Sequence, residues 1–174
     1  ISIVPTVTNN LCFGNCNGVV DLSLSGGTAP YNISWSNSQT SSLINALCNG
    51  TYSVSIVDAN GCINTETASI TSAAQITAST SVFSPSCGLC NGTASVAVSG
   101  GISPLTYNWS NNLTTPSVSN LCAGVYQVVI TDNNLCTQTE TVIINNSNGI
   151  TGETINTDQI PCSGSCVGAA TVSA

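Results

Sequence analysis

The sequence predicts an all-β protein made of tandem β-sandwich repeats of about 75 residues, each held together by disulfide bonds. Three observations support this fold class. The stretch from Leu47 to Cys62 returns 74 positions later as the stretch from Leu121 to Cys136. Polar and apolar residues alternate with a period of two, which is typical of half-buried strands, and helix signals are missing. Ten cysteines recur in step with the repeats.

The composition indicates an extracellular protein. The chain has 174 residues with no Lys, Arg or His, seven carboxylates and a net charge of -7. Its 4% of charged residues is far below the roughly 25% of ordinary globular domains, but its 41% of apolar residues argues against disorder. No apolar run approaches the about 20 residues that span a membrane. Ten cysteines indicate an oxidising compartment, so we expect a secreted or cell-surface location without membrane insertion in this segment.

Internal repeats divide the chain. We predict two complete repeats, residues 1–75 and 76–150, and the N-terminal part of a truncated third repeat, residues 151–174. In the third repeat, Cys162 and Cys166 match Cys12 and Cys16, each 150 positions earlier. Because the chain starts without a signal peptide and stops in the middle of a pattern, we expect a window of a longer secreted protein.

Each repeat is predicted to contain six or seven short strands. The first strand carries Pro5, which suits an edge strand because proline cannot donate a hydrogen bond to a ladder. Residues 58–61 end in Asn-Gly, a favoured pair for a hairpin turn. In the first repeat the predicted strands cover residues 1–8, 19–25, 31–36, 41–45, 51–57 and 62–70. Strands this short, joined by tight turns, favour a β-sandwich.

Two aromatic positions favour an immunoglobulin-like topology. Trp35 and Trp109 stand in the third strand, where such sandwiches bury a tryptophan. Tyr52 and Tyr126 stand at the start of the fifth strand, where the hydroxyl group of a tyrosine corner bonds back to nearby backbone. We therefore assign these four residues to the core and the corner of each repeat. A tryptophan exposed at the same place in each repeat would instead suit glycan binding.

Four cysteines in each repeat allow three pairings. In an immunoglobulin-like sandwich the second and fifth strands run in the same direction in facing sheets. The cysteines just before these two strands therefore lie at the same end of the domain. We predict intradomain disulfides between Cys16 and Cys48 and between Cys90 and Cys122.

The other cysteines leave alternatives open. The fifth strand spans about 20 Å and separates Cys12 from Cys62, whereas a disulfide needs Cα atoms within about 7 Å. One hypothesis is therefore a bond between repeats, from Cys12 to Cys136. The alternative is a Cys12–Cys62 bond within one repeat, which would require a different strand order. A partner outside this window, or an alternative pairing, is left for Cys62, Cys87, Cys162 and Cys166.

A resemblance to a known family is carried by two runs, CNGVVDLSLSGGTAPYNISWS and LCNGTYSVSIVDANGC. Together they resemble the SprB-type repeat of long secreted surface and gliding adhesins of Bacteroidetes. The resemblance covers both full repeats and the opening CSGSCVGAATVSA of the third. The second repeat departs from the pattern with Leu105 after its proline and with Asn134-Leu135 before its last cysteine. The resemblance implies export by a type IX secretion route and a role in a stalk or adhesive filament, and it supplies no catalytic residue.

The residues themselves indicate no catalytic chemistry. Nucleophilic catalysis needs a base, and the chain has neither His nor Lys. Asp58 and Asp132 each begin a turn; calcium binding is the alternative, but calcium takes six to eight oxygen ligands. Zinc bound by the cysteines alone is disfavoured in a secreted protein. We therefore expect no enzyme, no cofactor, no metal and, without basic residues, no nucleic-acid partner.

Two functions remain open. In the first, the chain is a structural segment of a surface adhesin or filament, a stiff spacer that contacts neighbouring repeats and self-associates through homotypic contacts. In the second, each repeat is a carbohydrate-binding module that contacts surface glycans directly. Candidate glycosylation sites follow the N-x-S/T pattern at Asn32, Asn49, Asn91, Asn108, Asn112 and Asn145.

Overall fold

A computed structural model describes residues 1–86 and 88–146 of the chain. The chain divides into two compact units. The first comprises residues 1–75 together with residues 100–102, and the second contains the other described residues from residue 76 to residue 146. The predicted third repeat, residues 151–174, lies outside the described residues.

The first unit contains six antiparallel strands in two three-stranded sheets. One sheet has the order β1-β2-β4 and the other has the order β3-β5-β6. In immunoglobulin lettering these are the A-B-E and C-F-G sheets. The prediction of an immunoglobulin-like all-β sandwich is therefore confirmed by the strand order itself. The strands are β1 (Ser2–Thr8), β2 (Gly18–Ser25), β3 (Asn32–Trp35), β4 (Leu43–Leu47), β5 (Gly50–Val57) and β6 (Ile63–Ile70).

The second unit repeats this arrangement strand for strand. Its sheets have the orders β7-β8-β10 and β9-β11-β12, with all pairings antiparallel. The strands are β7 (Thr77–Phe83), β8 (Gly92–Ser99), β9 (Thr106–Trp109), β10 (Ser117–Leu121), β11 (Gly124–Thr131) and β12 (Thr137–Ile144).

The core of each unit follows from the alternation within its strands. In β5, Val54 and Ile56 point inward and are almost completely buried, while Ser53 and Ser55, which alternate with them, face outward. The register pairs Val54 with Trp35 across the sheet, so the tryptophan lies on the same inner face. Because side chains alternate faces along a strand, one register places the whole apolar set against the other sheet.

The fourth strand lies two residues later than the sequence predicts. The expected range was residues 41–45, whereas β4 covers Leu43–Leu47. Ala46 has a φ of 56°, and the pairing of β2 with β4 shifts register at this place. A bulge of this kind changes the alternation locally. Ile44 and Leu47, three positions apart, are therefore both buried, a spacing that a period of two does not predict.

Candidate functional site

The two ends of each unit carry its polar and cysteine-based features. We call the end with the β1–β2 loop the loop end, and the end with the β5–β6 turn the turn end. The corresponding parts of the second unit are the β7–β8 loop and the β11–β12 turn. The strands begin and end at these places, so local sequence positions the side chains described below.

At the loop end, each unit has a tyrosine hydrogen bond and a disulfide. The Tyr52 hydroxyl donates to the carbonyl oxygen of Cys48 at 3.0 Å, and the Tyr126 hydroxyl donates to that of Cys122 at 3.2 Å. This is the hydrogen bond of a tyrosine corner. Cys48 is bonded to Cys16 and Cys122 to Cys90, with a sequence separation of 32 in both units. Each disulfide therefore ties the loop before the second strand to the corner before the fifth.

The two tryptophans lie inside the units. Trp35 is 3% exposed and Trp109 is 1% exposed. Their indole Nε1–H groups donate to the carbonyl oxygens of Ser41 and Thr115 at 3.0 and 2.9 Å. The indole rings therefore fill the core, and neither ring forms an exposed platform on which a sugar could stack.

Sequence reasoning missed a buried asparagine that organises the loop end of the first unit. Asn10 is 3% exposed, and its amide group donates to Asn49 Oδ1 at 3.0 Å while its own Oδ1 accepts the Asn17 N–H at 2.7 Å. The Asn10 N–H also donates to the carbonyl oxygen of Thr71, immediately after β6, at 2.9 Å. These bonds hold the Cys12-containing loop beside the point where the chain leaves the sandwich.

A buried aspartate organises the turn end. Asp58 is 6% exposed; its Oδ2 accepts the Thr28 N–H at 3.0 Å, and its Oδ1 accepts the N–H groups of Asn60 and Cys62 at 3.0 and 2.9 Å. Hydrogen bonds from Thr28 first, and then from Cys62, lower the pKa of the Asp58 carboxyl group because they stabilise its charged form. In the second unit, Asp132 Oδ1 accepts N–H groups from Asn134 and Cys136.

This geometry assigns the turn aspartates a structural role. Both oxygens of Asp58 accept backbone hydrogen bonds, so few lone pairs remain for a cation. Within residues 1–86 and 88–146, no group of three or more His, Cys, Asp or Glu side chains could hold a metal ion.

The remaining cysteines differ between the units. Cys12 follows β1 at the loop end, whereas Cys62 lies at the turn end and has a free, exposed thiol. The alternative Cys12–Cys62 bond is therefore wrong, because Cys12 is disulfide-bonded and Cys62 is not. Cys136, the counterpart of Cys62, is also disulfide-bonded. The predictions for Cys87, Cys162 and Cys166 lie outside the described residues.

The candidate glycosylation sites fall into two groups. The carboxamides of Asn49 and Asn91 are used by the fold: Asn49 donates to Ser72 Oγ at 2.8 Å, and Asn91 Oδ1 accepts the Ser86 N–H at 2.8 Å. The other four side chains are exposed, on β3 and β9, in the turn after β9 and just after β12: Asn32, Asn108, Asn112 and Asn145.

The strand order defines a class, the tandem immunoglobulin-like β-sandwich. The SprB repeat family model matches residues 4–40 and 79–114, one segment in each unit. Both matches begin in the first strand of a unit and extend past its third strand. The family match and the strand order agree that the chain contains a tandem repeat.

Solved structures are similar to this chain at low sequence identity and low TM-scores. The three N-terminal domains of the bacteriophage RB49 outer capsid protein Hoc match at 10% identity and a TM-score of 0.44, covering 82% of this chain and 59% of that one. A C-terminal intimin fragment in complex with the intimin-binding domain of its translocated receptor matches at 15% identity and a TM-score of 0.47. This match covers 84% of this chain and 65% of that one. DIP-gamma IG1+IG2 matches at 11% identity and a TM-score of 0.40, covering 82% of this chain and 95% of that one.

The chain spans less than two thirds of the Hoc and intimin chains. All three TM-scores lie below 0.5, so the fold assignment rests on the strand order of this chain. No curated protein matches the sequence. The part of the chain that the structure describes contains no helix able to cross a membrane.

Proposed function

We propose that the chain is a stiff spacer segment in the stalk of a long surface adhesin, exported by a type IX secretion route and displayed outside the cell. The observation that carries this proposal is the direction of the chain through each unit. The Asn64 amide at the turn end donates to the carbonyl oxygen of Ile1 at 2.9 Å, and Asn10 at the loop end binds Thr71. The chain therefore arrives at one end of the sandwich and leaves at the other.

This path suits a spacer. β6 has eight residues, so a unit is about 26 Å long at 3.3 Å per residue. A domain whose chain ends lie at opposite ends adds its length to the stalk each time that it is repeated. Each unit also has its own buried core, which allows it to resist extension by itself.

A spacer is stiff only if the connections between its repeats are stiff. We propose that a disulfide between Cys12 and Cys136 is one such connection, which we call the joint. Cys12 lies at the end where the chain leaves the first unit, and Cys136 lies at the turn end, where the chain arrives in the second. Both are disulfide-bonded, and Cys62 is excluded as the partner of Cys12 because its thiol is free. A Cys12–Cys136 bond would add a second connection beside the six residues between β6 and β7.

Peptide mapping without reduction tests this joint. Trypsin has no site in a chain without Lys or Arg, but chymotrypsin cleaves after Phe13, between Cys12 and Cys16. We expect a peptide that ends at Phe13 to be linked to the peptide containing Cys136. A Cys12 peptide linked to any other cysteine would contradict the joint.

Small-angle scattering tests the stiffness itself. We expect the oxidised chain to give a narrow distribution of interatomic distances, and a C12S/C136S variant to give a broader one because its two units move independently. The matched control is C62S, which removes a cysteine outside the proposed joint and should leave the distribution unchanged. Equal distributions for the oxidised chain and C12S/C136S would contradict the stiff spacer.

A further inference from the structure

One edge strand of the second unit lacks the features that keep the other edge strands from pairing with a further chain. An edge strand presents unpaired backbone N–H and C=O groups. Proteins protect such edges with a short strand, a bulge, a proline or an inward-pointing charge. In the part of the chain that the structure describes, eight strands lie at the edge of a sheet. Seven of these strands carry one of the protecting features, and the exception is β7.

The seven protected edges fall into four kinds. β3 and β9 are short, with four residues each. β4 and β10 shift register against their neighbours. β6 and β12 carry Glu66 and Glu140, which lie opposite the buried residues Val54 and Val128 and therefore on the inward face of the strand. β1 carries Pro5, which cannot donate a hydrogen bond to a further strand.

β7 carries none of these features. Its sequence TASTSVF contains neither proline nor charge. It pairs with β8 over all seven residues without a register shift, and six of the seven are exposed. Thr80 takes the place of Pro5, because Thr80 lies opposite Val96 where Pro5 lies opposite Leu22. A long, uncharged and exposed edge of this kind is a template for pairing with another chain.

The hydrogen bonds of the sheet show which backbone groups face the free edge of β7. The Val96 N–H donates to the carbonyl oxygen of Pro116 at 2.9 Å, on the side of β8 away from β7. Thr80, opposite Val96, is therefore a non-hydrogen-bonded position of the antiparallel ladder, and its own N–H and C=O groups point to the free edge. Backbone direction alternates along a strand, so the groups of Ala78 and Val82 point the same way.

We propose that β7 is a self-association edge that pairs antiparallel with β7 of a second copy of this chain. A two-fold axis at Thr80 places this residue opposite its own copy and places Ala78 opposite Val82 of the other strand. The three residues with free backbone groups then meet their counterparts, and the strands exchange about six hydrogen bonds. The register also keeps each pair on one face of the joined sheet. The contact uses the same surface twice, so it closes as a dimer.

Charge favours a second copy as the occupant of this edge. The chain has no Lys, Arg or His and a net charge of -7, so two copies form no side-chain ion pairs and repel each other where carboxylates meet. Two β7 strands meet without this repulsion. Val82 and Phe83 are 47% and 64% exposed, and in this register they lie opposite Ala78 and Thr77 of the partner strand, where pairing covers part of their apolar surface.

The direction of the pairing decides which stalks can meet. β7 ends at the loop end of its unit, and antiparallel strands place the two units in opposite directions. This step rests on the proposed function: stalks that stand on two facing cells approach in opposite directions, whereas neighbours on one cell run in the same direction. The edge therefore suits contact between cells. A pair of seven-residue strands is a small interface, so we expect weak association of single chains.

Sedimentation equilibrium of the full chain tests the pairing at concentrations up to about 1 mM, where weak interfaces associate. We expect a monomer–dimer equilibrium. Thr80→Pro should weaken it by at least about tenfold, because one N–H donor of each copy is lost from the centre of the pairing. The variant should fold, since β1 carries Pro5 at this place. The matched control is Thr80→Val, which keeps the N–H group and should associate like the unchanged chain.

A charge exchange tests the register. Ser79 lies opposite Ser81 of the partner strand, so S79K/S81K alone and S79E/S81E alone should each be monomeric, while an equimolar mixture should form a heterodimer. A monomeric wild-type chain, a dimer that persists in Thr80→Pro, a mixture that stays monomeric or growth beyond a dimer would each overturn the proposal. C12S/C136S should associate like the wild type, so loss of the joint and loss of the pairing are measured separately.

Discussion

Removing the disulfide of one unit should destabilise that unit alone. In a C16S/C48S variant the loss comes chiefly from the unfolded chain, because both cysteines are exposed and their replacement leaves the core intact. A disulfide reduces the entropy of the unfolded chain according to the length of the loop that it closes. For a sequence separation of 32, the loop-entropy relation gives about 3.7 kcal/mol at 25 °C. This is a large part of the stability of a domain of this size.

Each unit contains its own fluorescent reporter for this measurement. Trp35 lies in the core of the first unit and Trp109 in the core of the second, and the chain has two tryptophans. Urea unfolding followed in a Trp109→Phe background reports the first unit, and unfolding in a Trp35→Phe background reports the second. We expect C16S/C48S to lower the free energy of unfolding by about 3.7 kcal/mol in the first background and to change it little in the second.

The second unit provides the matched control. C90S/C122S opens a loop with the same separation of 32, so it should produce the same loss at Trp109 and little change at Trp35. A loss below about 1 kcal/mol in both variants would refute the loop-entropy account. A loss that appears equally at both tryptophans would refute the independence of the two units.

Three further predictions address the turn and the corner. Because hydrogen bonds lower the pKa of Asp58 in the folded state, its contribution is complete above the ordinary carboxyl pKa of about 4 and is lost as the pH falls through the lowered value. Acid unfolding followed by Trp35 fluorescence should therefore show a loss of stability at low pH, and this loss should be smaller in Asp58→Asn. Leu135 has a φ of 63° where the first unit has Gly61. Leu135→Gly should therefore raise the free energy of unfolding, followed by Trp109 fluorescence, by roughly 0.5–1 kcal/mol, because the relief of left-handed strain exceeds the entropy lost by glycine. Gly61→Ala should lower the free energy of unfolding that is followed by Trp35 fluorescence. Tyr52→Phe should cost about 1 kcal/mol in urea unfolding, the value of one hydrogen bond; no loss would show that the corner bond is dispensable.

Much of the fold could be predicted because its signals are local. Signals such as the alternation within β5 and the Asn-Gly pair at residues 60–61 act over a few residues, and five of the six predicted strands of the first unit lie within one residue of their observed bounds. The fourth strand was placed wrongly because the left-handed conformation of Ala46 interrupts the alternation. Alanine gives no signal for such a bulge, so its position depends on the packing of Ile44 and Leu47.

The candidate site was predictable where its geometry follows from strand direction. The placement of Cys16 and Cys48 at one end of the sandwich requires only the order of the strands, and the structure bonds this pair. The role of Asn10 was not predictable, because Asn9 and Asn10 are equally polar neighbours in the sequence. Only Asn10 becomes buried, since its amide meets Asn49, which is 39 residues away in sequence.

The sequence by itself determined the repeats, the period of two, the pairing of Cys16 with Cys48 and the identity of the corner and core aromatics. These properties follow from composition, from spacings along the chain and from strand direction, and they do not depend on the details of tertiary packing. The tertiary structure alone decided that Asp58 accepts a hydrogen bond from Thr28, 30 residues away, and that Asn49 and Asn91 serve the fold although they stand in glycosylation motifs. It also decided that Cys62 is not the partner of Cys12, because packing fixes which groups meet, and these two cysteines lie at opposite ends of a strand about 26 Å long.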